Sequence, residues 1–142
     1  MNEYTFSEMC VGMSEMFQRE ITSAMEHSFR ELSGDENPLH QDDVYAREVG
    51  MGKFSSHVVY GMLTASLYST IAGMYLPGKY SLIHSFEEIS FLKPVFAGDI
   101  LTVVGEVIEK EEALKLIRLK VAINNQDGKC VSRAKMKVLV LK

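Results

Sequence analysis

One short stretch, residues 33–40, places an acid, an amide and an imidazole close together in the sequence Ser-Gly-Asp-Glu-Asn-Pro-Leu-His. Gly34 is typical of a helix end, and Pro38 disfavours a helical backbone at the residue before it, so we expect a turn here rather than a regular element. Asp35 and His40 are five residues apart, and a turn between them can bring their side chains to one point. A carboxylate and an imidazole that meet can hold and activate a water molecule.

Each of these side chains also has a purely structural interpretation. Asp35 could bond nearby backbone groups, but we favour a general base because Asn37 and His40 stand in the same turn. His40 could be a half-buried structural residue, although histidine suits proton transfer because it gains or loses a proton near neutral pH. For Asn37, two interpretations stay open: shaping the turn, and contacting water or substrate.

Two short helices are predicted on either side of this turn. Ser23 and Glu26 have the spacing of a capping box, and apolar residues then recur at helical spacing up to Gly34. On the other side, Asp42 can cap a helix that runs to Val49. The two helices would hold the ends of the turn.

A longer helix is predicted from Tyr60 to Tyr75, because apolar residues recur at helical spacing and the remaining positions are mostly small. A helix that is apolar or small on all sides is expected to be buried. Gly61 lies near its start, where backbone N–H groups can stabilise negative charge and the missing side chain lets a ligand approach. Tight helix packing is an equally good interpretation of Gly61. Ser69, further along, could simply bond its own helical turn.

After residue 79, apolar and polar residues alternate, which predicts strands over 80–92, 99–110, 114–124 and 129–141. Asp127-Gly128 predicts a hairpin between the last two strands. Four strands joined by short turns would form an antiparallel meander with one apolar face, and the long helix is the only candidate to cover that face. We therefore predict a single α+β domain over residues 1–142, with an antiparallel sheet wrapped around one long central helix.

The composition argues against several classes of function. The net charge is -4 and no basic stripe stands out, so we expect no nucleic-acid binding. No apolar run is long enough to span a membrane, and the N-terminus has no signal pattern, so we expect a cytoplasmic protein without membrane contact. Cys10 and Cys130 have neither disulfide-framework nor metal-ligand spacing, which fits a reducing compartment. No cluster of histidines and carboxylates has convincing metal-ligand spacing.

Three blocks of residues follow one another in a recognisable order. They are residues 33–40 with Ala46, then Gly61-Met62-Leu63 with Ser69 and Leu76-Pro77-Gly78, then Phe91 with Pro94-Val95 and Gly98-Asp99. In order and spacing, the blocks resemble the signature of the MaoC-like, R-specific enoyl-CoA hydratases of the hotdog superfamily. The resemblance implies the hotdog fold, which agrees with the architecture predicted independently from periodicity.

The resemblance also implies roles for single residues. In the family the matching Asp and His together bind the catalytic water, which implies that role for Asp35 and His40. The amide at the position of Gly61 is an oxyanion donor in the family, and Ser69 matches a pocket serine. Family members usually carry His before the Gly-Met-Leu run, whereas this chain has Tyr60. A tyrosine can still donate a hydrogen bond but is uncharged near neutral pH, so Tyr60 stays a candidate substrate-binding residue.

The function implied by the resemblance is that of an enoyl-thioester hydratase, or 3-hydroxyacyl dehydratase in reverse, working by syn addition of water. The substrate would be a CoA or acyl-carrier-protein thioester of R configuration, and no metal or redox cofactor would be needed. One alternative is a hotdog thioesterase, but those enzymes commonly use a carboxylate on or beside the central helix, and residues 58–76 contain none. A second alternative is a non-catalytic acyl-thioester-binding subunit, which only Tyr60 supports.

Hotdog proteins are usually dimers whose sheets join edge to edge, so the resemblance also implies a homodimer. The exposed edge strand of a lone protomer gives a physical reason for this expectation.

Overall fold

The computed structural model describes all 142 residues. The three helices and the four strands after them occur in the predicted order, and one further strand precedes the first helix. In chain order they are β1 (Ser14–Glu20), α1 (Ser23–Ser33), α2 (Asp43–Val49), α3 (Gly61–Thr70), β2 (Ser81–Phe91), β3 (Ile100–Glu111), β4 (Leu116–Asn124) and β5 (Cys130–Val140). A 3-10 turn at Pro38–His40 lies between α1 and α2, and a π-helical turn at Ile71–Tyr75 extends α3. None of the helices has both the length and the apolar character needed to cross a membrane.

The five strands form one antiparallel sheet in the order β1-β3-β4-β5-β2. Strands β3, β4 and β5 form the predicted meander, but β2 pairs with β5 and lies at the opposite edge from β1. The predicted four-stranded meander is therefore wrong for β2. Periodicity identifies a strand but says nothing about its partner, and the loop after β2 carries the chain across the sheet to β3.

Helix α3 packs against one face of this sheet through its buried residues Leu63, Leu67, Tyr68 and, in the π-helical turn, Ile71. The facing positions on β3, β4 and β5 are buried aliphatic residues, at the alternating spacing that the sequence predicted. Gly105 on β3 permits close contact, because a Cβ there would lie only 2.8 Å from the Ile71 side chain. The α+β prediction is confirmed.

The long helix is not covered on every side. Met62 is 61% exposed and Met74 is 42% exposed, and Ser66 and Ser69 between them are exposed too. The prediction of a helix buried all round is therefore wrong for a single chain, because one face of α3 points away from the sheet. Residue size and polarity could not show this, since that face is built from methionines and small residues.

The helix ends follow local capping chemistry. Thr22, rather than Ser23, is the N-cap of α1, and its hydroxyl accepts a hydrogen bond from the Met25 N–H at 3.3 Å. The predicted capping box does not form, because Met25 stands three residues after the N-cap and the Glu26 side chain contacts His57 instead. Gly34 ends α1 with φ 71°, and Asp42 caps α2, both as predicted.

Candidate active site

The turn between α1 and the 3-10 turn is held by its own side chains. The Asp35 carboxylate accepts a hydrogen bond from the Asn37 N–H at 3.0 Å, and the Asn37 side chain accepts one from the Leu39 N–H at 3.0 Å. The Ser33 hydroxyl accepts a hydrogen bond from the Asp35 N–H at 3.2 Å. Asn37 therefore shapes the turn, which was one of its two interpretations. Asp35 is exposed, and its second carboxylate oxygen makes no hydrogen bond to protein.

His40 is fixed in one orientation by the strand-like segment before α3. Its Nδ1 lies 2.6 Å from the carbonyl oxygen of Val58, and the Val58 N–H donates to the Leu39 carbonyl at 3.0 Å. Because a carbonyl can only accept, Nδ1 carries the proton in this contact. The other ring nitrogen, Nε2, is then the one free to exchange a proton with a bound molecule.

Tyr60 connects the turn to the start of α3. Its hydroxyl donates to the backbone carbonyl of Asp35 at 2.8 Å, and its ring lies 4.2 Å from the His40 ring at a tilt of 32°. Phe29 of α1 packs against it with ring centroids 5.2 Å apart. Burial, and then the negative charge of Asp35, raise the pKa of Tyr60, so the phenol stays a neutral donor. Tyr60 thus contacts both residues that were predicted to hold water.

A cavity of about 310 Å³ opens beside His40 and the first residue of α3. It is lined by His40, Phe54, Val58, Val59, Gly61, Thr64, Phe91, Leu92, Lys93, Pro94, Val95 and Val131. Most of these side chains are apolar. The cavity therefore suits an acyl group with a polar end near His40.

Gly61 presents a free backbone donor at this cavity. Neither its N–H nor that of Met62 donates to a protein acceptor, and the Tyr60 side chain does not cap the helix. A Cβ at Gly61 would lie 3.4 Å from the Phe91 ring, so the absent side chain leaves this part of the cavity open. Free N–H groups at a helix N-terminus are suited to an oxygen that gains negative charge.

The structure places the predicted site residues unequally. His40 and Gly61 line the same cavity. Tyr60 is outside that lining, but its ring packs on the His40 ring. Asp35 lies at the exposed turn outside that lining, and Ser69 is exposed further along α3, also outside it. Their chemical roles stay predictions.

Several residues at the site were not predicted as part of it. Phe91, Pro94 and Val95 line the cavity, and the Val95 carbonyl accepts a hydrogen bond from the Val59 N–H at 2.8 Å. The third sequence block contained these three residues, and that block was the signal that could have placed them here. Phe54 comes from a loop without any pattern in the sequence.

The family model described as MaoC like domain matches residues 11–127. The chain belongs to the MaoC-like domain family. The (R)-specific enoyl-CoA hydratase of Aeromonas caviae is 37% identical to this MaoC-like chain over 118 residues, which are 83% of this chain and 85% of that enzyme. The resemblance predicted from the three blocks is confirmed.

Two further relatives agree. The 3-hydroxybutyryl-CoA dehydratase of Methylorubrum extorquens is 34% identical over 104 residues, which are 73% of this chain but only 64% of that enzyme's length. The solved structure of the unliganded R-hydratase PhaJ1 from Pseudomonas aeruginosa has a TM-score of 0.87 at 29% identity, covering 97% of this chain and 86% of that one. The hotdog fold and the hydro-lyase class are thereby confirmed. None of these relatives is a thioesterase.

Proposed function

We propose that this MaoC-like protein is an R-specific hydratase of enoyl thioesters, and in reverse a dehydratase of R-3-hydroxyacyl thioesters. One observation carries the proposal: His40, with Nε2 left free, and the free N–H of Gly61 line one apolar cavity. An acid–base group and an oxyanion donor on one cavity are what addition of water to a conjugated thioester requires. The hydratase and dehydratase activities of the relatives support the same chemistry.

In this mechanism Asp35 and His40 bind one water molecule. As the water oxygen bonds to the β-carbon, one of the two side chains takes its proton, and that proton is then delivered to the α-carbon on the same face of the double bond. The electron pair of the double bond moves onto the thioester oxygen, which becomes an enolate. The Gly61 N–H and the N-terminal dipole of α3 stabilise this charge until the α-carbon is protonated.

The substrate is an acyl thioester, carried either by CoA or by an acyl carrier protein. Lys93 at the cavity is a cation that a phosphate-bearing carrier group could contact. No metal or redox cofactor takes part in these steps. A cytoplasmic location is also part of the proposal, in line with the free thiols of Cys10 and Cys130.

A homodimer completes the proposal. Strand β2 is an edge of the sheet, and it exposes Leu82 (52%) and Phe86 (41%). The uncovered face of α3 exposes Met62, and its π-helical extension exposes Met74. An exposed apolar edge strand and helix face together favour pairing with a second copy. Light scattering at micromolar concentration should give twice the mass of the chain, and a monomer would contradict this part.

The test of the function uses the ultraviolet absorbance of crotonyl-CoA, which falls when the conjugated double bond is hydrated. Asp35→Asn is the matched control, because an amide oxygen can still accept the hydrogen bond from the Asn37 N–H and so preserves the turn. We expect activity in the wild type and a loss of about 100-fold or more in the variant. Equal rates would refute the assigned mechanism. A wild type that hydrates neither CoA-bound nor carrier-bound enoyl thioesters of any chain length would refute the function.

A further inference from the structure

A second histidine, His57, lies between two carboxylates beside the proposed site. Its Nδ1 is 2.6 Å from Oδ1 of Asp43 on α2. Its Nε2 forms a hydrogen bond with Oε2 of Glu26 on α1 at 3.4 Å and lies 3.2 Å from Oε1 of the same carboxylate. The backbone N–H of His57 also donates to Asp43 Oδ1, at 2.9 Å. The histidine therefore joins both short helices to the segment that leads into α3.

Burial makes this contact costly to lose. Glu26 is only 6% exposed, and a buried carboxylate needs a charged or hydrogen-bonding partner. The cluster faces a cavity of about 170 Å³, and the other titratable or charged groups around that cavity are His27, Arg30, His40 and Tyr60. Arg47 on α2 is a further charged group whose positive charge acts on Asp43. Arg30 and His27 form a hydrogen bond with each other at 2.9 Å. The imidazole that contacts Glu26 is that of His57.

The next residue after His57 is Val58, whose carbonyl receives the Nδ1–H of His40. That carbonyl belongs to the peptide unit between Val58 and Val59, whose N–H donates to the Val95 carbonyl at 2.8 Å. His57 fixes the other end of this short segment, because its backbone N–H and its ring are both held by Asp43. A rotation of this segment would remove the only hydrogen bond that fixes the His40 ring. A misplacement of about 1 Å in a catalytic group can lower a rate about 100-fold.

We propose that His57, clamped by Glu26 and Asp43, is a positioning residue that holds the Val58 carbonyl in place and so sets the orientation and tautomer of His40. The proposal rests on the proposed function, in which His40 exchanges a proton with substrate. His57 itself lies outside the lining of the substrate cavity and touches no reacting atom. No metal-binding cluster is formed by these residues.

The clamp has a defined pH dependence. Burial alone would lower the pKa of His57, but the hydrogen bonds and negative charges of Asp43 and Glu26 outweigh burial and raise it. The charged clamp is thus complete below the ordinary histidine pKa of about 6.5 and is lost as the pH rises through the raised pKa of His57. Positioning of His40 should weaken over the same interval.

The kinetic test compares His57→Gln and Asp43→Asn with the wild type in enoyl-thioester hydration. We expect His57→Gln to lower kcat about tenfold while KM changes less than about twofold, because binding in the cavity is untouched. Asp43→Asn removes an exposed carboxylate, so the fold should persist even where His57→Gln does not fold. It should move the alkaline fall of kcat to lower pH. His84→Gln, an exposed position on β2, is the matched control and should leave both parameters unchanged.

A second readout does not depend on turnover. The ¹⁵N shifts of the histidine rings report which nitrogen carries the proton, so the wild type should show His40 protonated at Nδ1, and His57→Gln or Asp43→Asn should mix its tautomers. The titration midpoint of His57 should fall in Asp43→Asn by the same interval as the kinetic midpoint. An unchanged His40 spectrum, or a shifted His57 midpoint with an unmoved kinetic profile, would overturn the proposal. If the wild type does not hydrate enoyl thioesters, the proposed function is refuted. The histidine ring spectra would then decide by themselves whether His57 positions His40.

Discussion

The Tyr60 hydroxyl donates a 2.8 Å hydrogen bond to the backbone carbonyl of Asp35, across 25 residues of sequence. The same side chain packs its ring 4.2 Å from that of His40. Tyr60, at the start of α3, therefore contacts both the turn that carries Asp35 and the ring of His40. Because Gly61 follows Tyr60 directly, the turn and the proposed oxyanion donor are tied to one point of the helix.

Removing the hydroxyl with Tyr60→Phe tests this connection. The ring contacts with His40 and Phe29 should survive, while the turn loses its tether to α3. We expect the free energy of unfolding to fall by about 1 kcal/mol and kcat to fall by about three- to tenfold. Urea unfolding and hydration of crotonyl-CoA measure the two effects. A variant with lowered stability but full kcat would show that the hydrogen bond serves the fold alone.

This arrangement weakens the hypothesis of a non-catalytic binding subunit. That hypothesis rested on Tyr60 in place of the family's usual histidine. In the structure, Tyr60 supports both Asp35 and His40, so its presence is compatible with a working site. A protein that binds acyl-CoA but does not turn it over would support the hypothesis of a non-catalytic subunit.

Two substitutions at His40 separate its two nitrogens. Asparagine can place an amide N–H where Nδ1 lies and keep the bond to Val58, but it has nothing at the position of Nε2. We therefore expect His40→Asn to keep nearly wild-type stability and to lose activity by about 100-fold or more. Thermal unfolding and the hydration assay check both expectations. His40→Ala, which loses both nitrogens, is the comparison, and substantial activity in either variant would remove His40 from the mechanism.

The sequence predicted the elements well because their signals are local. Gly34 ends α1 and Asp42 caps α2 as expected, since capping depends on a few adjacent residues. The partner of β2 was mispredicted because pairing is decided by packing between distant segments. The exposure of one face of α3 was not predicted for the same reason.

The site was predicted in part. His40 was singled out from its turn and Gly61 from its place at the start of the long helix, the family blocks agreed, and both residues line one cavity. The contacts of His57 were not predicted, because Glu26 and Asp43 lie 31 and 14 residues away from it in sequence and only the packing of the two short helices brings them together. Tyr60 was seen only as a departure from a pattern, and its hydrogen bond to Asp35 needed the fold.

The thioesterase alternative predicts a different product, so one assay separates it from hydration. Helix α3 and its π-helical extension contain no Asp or Glu to activate water for attack on the thioester carbon. We expect saturated acyl-CoA to release no thiol above background, measured with a thiol-reactive dye. Asp35→Asn is the control for any residual signal. Release at rates comparable to hydration would contradict the hydratase assignment.

Chelation tests the prediction that catalysis needs no metal. In the proposed steps the Gly61 N–H, rather than a cation, stabilises the enolate, and Asp35 and His40 activate the water. Dialysis against EDTA should therefore leave kcat for hydration unchanged within about 20%, a margin far below the loss of about 100-fold expected from removing an acid–base group. Restoration of a lost rate by added Mg²⁺ or Zn²⁺ would show that a metal takes part.

A buried chain of hydroxyls between α3 and β5 gives the last prediction. Ser132 donates to the Ser90 carbonyl at 2.9 Å, so the Tyr68 hydroxyl, 2.6 Å away, must be the donor to Ser132. Burial raises the pKa of Tyr68 to about 12, which keeps this hydroxyl protonated. Tyr68→Phe removes one donor and leaves the Ser132 bond intact, so it should cost about 1 kcal/mol of unfolding free energy.

Ser132→Ala should cost more, about 2–3 kcal/mol, because it leaves both the Tyr68 hydroxyl and the Ser90 carbonyl without this partner. Urea unfolding of Tyr68→Phe, of Ser132→Ala and of the double variant measures the three losses of unfolding free energy. Since the phenol is already gone in Tyr68→Phe, adding Ser132→Ala should cost less in the double variant than it does alone. An equal cost in both backgrounds would show that the two hydroxyls are not coupled.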